Sequence, residues 1–86
     1  MVEVSKKDNN TFIVKVSEGK GTSTHTVTLD DSYHQKLTDG KTDKEALIKK
    51  SFEFLLEREP KESILSKFDL PVISRYFPEY ERQIST

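Results

Sequence analysis

Apolar and polar residues alternate with a period of two through the first third of the chain, and with a helical period after it. Val2 and Val4 alternate with Glu3 and Ser5. From Thr11 to Ser17, Phe12, Val14 and Val16 share one face and Ile13 the other, in a run of β-branched and aromatic residues that favours the pleat. From Thr22 to Leu29, Ser23, His25, Val27 and Leu29 face one way, and Thr22, Thr24, Thr26 and Thr28 the other. Asp8-Asn9-Asn10 and Glu18-Gly19-Lys20-Gly21 separate these runs with residues that tolerate turn geometry. The pattern predicts a two- or three-stranded antiparallel β-meander over residues 1–29, with the first strand short.

Residues 30–84 predict a helical part. Asp30 or Asp31 can cap a short helix carrying Tyr33 and Leu37, and Gly40 can end it in the left-handed conformation. Thr42-Asp43-Lys44-Glu45 reads as a capping box, opening a helix to about Arg58. On it Leu47, Ile48, Phe52, Phe54, Leu55 and Leu56 spread over an arc of about 200°, against Lys49, Lys50, Glu53 and Glu57. So wide an arc needs cover from later helices or from a partner chain as well as from a sheet. Pro60 opens a further helix over 60–67, with Ile64, Leu65 and Phe68 as a small apolar face. Asp69 caps another, with Pro71 in its first turn. Ile73, Phe77, Tyr80 and Ile84 recur at helical spacing, and Pro78 predicts a break at Phe77. Three or four helices follow the meander, in one α+β domain over residues 1–86 without repeats or linkers.

Composition narrows the possibilities. Leu, Ile, Val and Phe make up 23 of the 86 residues, enough for a core but a modest one. A domain this small buries only roughly 60–65% of its unfolded surface, so association is a natural source of further burial. No apolar run approaches the ~18–20 residues of a membrane span. The polar start of the chain shows no signal peptide, and there is no cysteine for a disulfide or thiolate. A cytoplasmic protein is expected. Net charge is −1, with 14 basic and 15 acidic residues, unlike a general nucleic-acid coat protein.

Chemistry-bearing motifs are scarce. His25, His34, Asp30 and Asp31 match no metal-ligand spacing. Gly19-Lys20-Gly21 is too short for a phosphate loop, and Asn9-Asn10-Thr11 reads as a turn. No nucleophile elbow or dinucleotide fingerprint occurs. No catalysis, metal or cofactor is expected.

Val27-Thr28-Leu29, the capped helix around Tyr33 and Leu37, Gly40, and then Thr42 to Phe52 resemble, over residues 23–58, the ribbon-helix-helix repressors and antitoxins. In that family a strand from each of two subunits pairs as a ribbon in the DNA major groove. The resemblance implies that Thr24, Thr26 and Thr28 face bases. It implies that Thr42 starts the second helix, whose amides hold phosphate, and that Lys44 and Lys49 add charge contacts. The chain departs from that pattern in lacking Arg or Lys on the ribbon face. The segment from Ser51 to Leu65, with Phe68-Asp69-Leu70 and Arg75 to Glu81, resembles a group of small prokaryotic proteins of unassigned function. That likeness implies a self-contained domain and no activity.

The leading expectation is a non-enzymatic interaction domain that binds another copy of itself or a second protein. Leu47, Phe54, Tyr76 and Tyr80 are its candidate interface residues. A DNA-binding regulator is the alternative.

Overall fold

A computed structural model describes residues 1–19 and 21–85. Lys20, within the expected Glu18–Gly21 turn, lies outside the described residues. Strands β1 (Val2–Lys6), β2 (Thr11–Glu18) and β3 (Gly21–Thr28) form the expected antiparallel meander. β1 is the shortest of the three, as expected, and all five of its residues pair with β2, from Val2 opposite Val16 to Lys6 opposite Phe12. The Asp8 carboxylate fixes the turn between them, accepting from the amides of Asn10 (3.0 Å) and Thr11 (2.9 Å). Those donors, Asn10 first, hold its pKa below the usual carboxylate range.

The sheet has a fourth strand that the period-two pattern did not show. β4 (Lys67–Asp69) pairs in parallel with the outer side of β3, giving the order β1-β2-β3-β4. The helical part thus returns one strand to the sheet. The expected helix over 60–67 is replaced by a single 3-10 turn, Lys61–Ser63, followed by extended chain. The unpaired side of β3 explains the difference. Thr26 donates to the Ser66 carbonyl (2.8 Å), and the Leu70 amide donates to Thr28 (2.9 Å). These bonds satisfy backbone groups that a helix would leave unmet on β3.

Helix α1 (Asp31–Thr38) is capped by Asp30, whose carboxylate accepts from the Tyr33 amide (2.8 Å). Asp39 takes the left-handed conformation first (φ 53°), and Gly40 follows it (φ 74°). Helix α2 (Lys44–Leu56) is capped by Asp43, not by Thr42. The Asp43 carboxylate sits 2.7 Å from the Ala46 amide and also favours the helix dipole. Thr42 instead offers its carbonyl to His34 Nε2. Helix α3 (Val72–Tyr76) begins behind Pro71 rather than at Asp69, whose carboxylate accepts from the Thr28 hydroxyl across the β3–β4 pair. Helix α4 (Tyr80–Ile84) follows the break expected at Pro78, where Phe77 leaves helical geometry at φ −131° and ψ 89°.

The buried face of the sheet bears Val2, Phe12, Val14, Val16, His25, Val27 and Phe68; α2 packs against β1, and α1 and α4 pack against α2. The other face, with Thr22, Thr24 and Lys15, is open. The wide apolar arc of α2 is divided between two neighbours. Phe52 meets His25 of β3 at 5.3 Å and Phe68 of β4 at 6.0 Å, ring centre to ring centre. Phe54 meets Phe77 and Tyr80 edge to face at 5.9 and 5.3 Å. The later helices therefore supply the second cover that the arc called for.

Tyr33 on α1 donates to Glu81 of α4 at 2.7 Å, and Lys36 pairs with the same carboxylate at 3.3 Å. The Tyr33 bond, ahead of Lys36, pulls the Glu81 pKa below the ordinary glutamate value. A carboxylate with a lowered folded-state pKa stabilises the fold fully above its ordinary value, and that contribution disappears as pH falls through the lowered one. Glu81→Gln should therefore flatten the acid limb of stability against pH while leaving the neutral-to-alkaline region parallel to the wild type. Urea unfolding across an acid pH series checks this. An unchanged acid limb would contradict it.

Candidate interaction surface

Where α2 ends and the chain turns towards β4, a groove of about 160 Å³ opens on the surface. Leu55, Ile64 and Phe68 line one part of it, and Val72, Ile73, Tyr76 and Phe77 another. Glu59 is its one charged lining residue. Two apolar side chains on its margin stand in water: Leu65 is 46% exposed and Tyr76 66%. Among the described residues only Met1 is a more exposed large apolar side chain.

The geometry of Leu65 follows from the chain path. Ile64 has extended backbone and a buried side chain, and Leu65 next to it is exposed. The Leu65 carbonyl is held by His25 Nδ1 at 2.8 Å. A carbonyl only accepts, so that nitrogen carries the proton, and Ser23 Oγ meets Nε2 at 2.8 Å. His25 is thus a buried clamp that fastens the groove wall to the sheet. Its place on the Val27 face was legible, but its partner 40 residues along the chain was not.

The groove adjoins the outer edge of the sheet. Ser66 and Leu70 bond β3, so by strand alternation the backbone groups of Lys67 and Asp69 point away from it. Among the described residues no strand pairs with that edge. Lys67 and Asp69 project onto the open sheet face, and both are exposed.

The expected interface residues separate sharply. Tyr76 stands at the groove margin. Leu47, Phe54 and Tyr80 are covered by the chain itself, at 1%, 6% and 0% exposure, and offer no surface to a partner. Arg58 completes the cover of Phe54, with its guanidinium 3.7 Å from the ring centre and a bond to the Phe54 carbonyl at 3.0 Å. The same side chain reaches Glu79 (3.3 Å) and Gln83 (3.1 Å), tying α2 to α4.

Of the residues named for DNA, Thr24 is exposed on the open face, while Thr26 and Thr28 are half-buried beside β4. β3 lies inside the sheet, so β4 occupies the edge along which a two-copy ribbon would form at Thr26–Thr28. Lys44 is engaged with Asp31 (2.6 Å), Asn9 (3.1 Å) and Asn10 (2.9 Å), binding α2 to the β1–β2 turn. Lys49 is exposed beside β1.

Both histidines hold backbone carbonyls. Among the described residues no group of three or more His, Asp or Glu is placed to hold a metal ion. Among them, too, no helix is long and apolar enough to cross a membrane. No protein-family model matches the chain, and neither does any curated protein or solved structure.

Proposed function

We propose that this chain is a non-enzymatic interaction domain whose partner is a second copy of itself, bound at the groove and the adjoining edge of β4. The observation that carries this reading is the exposure of Tyr76, 66%, beside an apolar groove. An aromatic ring standing next to an unfilled apolar surface is the composition of an interface centre, where Tyr is enriched and energetically dominant. The free edge beside it adds unpaired backbone groups, which another strand can satisfy.

Tyr76→Ser should weaken self-association about tenfold or more, the effect of removing an interface anchor. Monomer stability should change by less than about 0.5 kcal/mol, because the ring is mostly exposed. Sedimentation equilibrium gives the first quantity and urea unfolding the second. An unchanged dissociation constant would remove the groove from the interface.

A further inference from the structure

We infer that the second copy adds to the free edge of β4 as an antiparallel strand, about a two-fold axis at Phe68. This rests on the self-association reading above. The outward backbone groups belong to the odd-numbered residues of this segment, because Ser66 and Leu70 are committed to β3. A two-fold antiparallel pairing must set these residues against one another, which leaves few registers.

An axis at Lys67 would put that lysine opposite the partner's Lys67. An axis at Asp69 would do the same with two aspartates. Like charges directly opposite destabilise a strand pair. An axis at Leu70 would set Asp69 against the partner's Pro71, which has no N–H to donate. An axis at Ser66 would set Lys67 against the partner's Leu65, whose carbonyl already accepts from His25. The axis at Phe68 sets Lys67 against the partner's Asp69, and Asp69 against the partner's Lys67. Both are hydrogen-bonded pairs, so the outward N–H and C=O groups of the two residues are all met.

The side chains agree with the backbone. Lys67 and Asp69 lie on the same face as Thr26 and Thr28, so each ammonium meets a carboxylate on one surface. Among the described residues Lys67 has no ion-pair partner within the chain, and Asp69 has only the Thr28 hydroxyl on one of its oxygens. Phe68 falls at the non-hydrogen-bonded position, where side chains of paired strands come closest. It projects to the helix side and lines the groove, so the axis passes beside Leu65 and Tyr76. The two four-stranded sheets then join as one of eight strands.

A charge swap on the full chain tests the register, read by sedimentation equilibrium. Lys67→Glu sets a glutamate against an aspartate at two places and should weaken association about tenfold or more. Asp69→Lys should do likewise. The double variant Lys67→Glu/Asp69→Lys restores opposite charges at both places and should recover most of the lost affinity. If the double variant is no tighter than either single one, the register is wrong. If Tyr76→Ser weakens association while the charge variants do not, the copies meet at the groove and the strand pairing falls. A wild type that stays monomeric at every concentration overturns the pairing and the self-association reading together. Far-UV circular dichroism of each variant confirms an unchanged fold.

Discussion

Phe52→Ala should lower the stability of this domain by about 3–5 kcal/mol, the range for deleting a buried aromatic ring. Phe52 is fully buried and lies at the junction of α2, β3 and β4, against His25 and Phe68. The loss combines the transfer of the ring with the cavity left behind, and a sheet beneath it collapses poorly. Small domains have only about 5–15 kcal/mol in total, so a large fraction of the molecules should be unfolded at moderate temperature. Urea unfolding measures the change. A loss under about 1 kcal/mol would mean that Phe52 is not at the core junction.

Tyr80→Ala should cost a similar amount, and two further variants separate the polar share of that loss. Ser51 Oγ donates its only proton to the Leu47 carbonyl at 2.7 Å. It must therefore accept from Tyr80 Oη, also at 2.7 Å, with both groups buried. Burial raises the Tyr80 pKa well above that of a free phenol, so the hydroxyl keeps its proton and remains a donor. Ser51→Ala leaves that hydroxyl buried without an acceptor and should cost about 1–3 kcal/mol. Tyr80→Phe removes the donor and should cost less, because the serine keeps its bond to Leu47. In Ser51→Ala/Tyr80→Phe neither buried group is stranded, so the double loss should fall short of the sum of the single ones. Additive losses would contradict this pairing.

The boundary between what the sequence discloses and what it does not runs along the range of the interactions. β1 to β3, the Asp30 cap, α2 and the break at Pro78 rest on alternation, caps and proline geometry within a few residues, and all were legible. β4 was not. Lys67-Phe68-Asp69 holds a single apolar residue, and its reason to be extended is an edge of β3 whose Thr28 is 41 residues before Asp69. The same limit explains the interface residues. The helical wheel of α2 gave the width of its apolar arc correctly. It called for cover from elsewhere but did not show that Phe77 and Tyr80 would supply it at Phe54. Tyr76, named with Phe54 and Tyr80 for the interface, is exposed at the groove margin. Lys67 falls at the end of the expected helix over 60–67 and Asp69 at the expected cap of the next, because the β3 residues that hold them extended lie 41 residues earlier in the chain.

The molar mass in solution, from light scattering behind size exclusion at a low and a high protein concentration, tests the central claim most directly. A mass rising towards about 20 kDa, twice the 9.9 kDa of the chain, is the expected result. A mass of 9.9 kDa at both concentrations would contradict it.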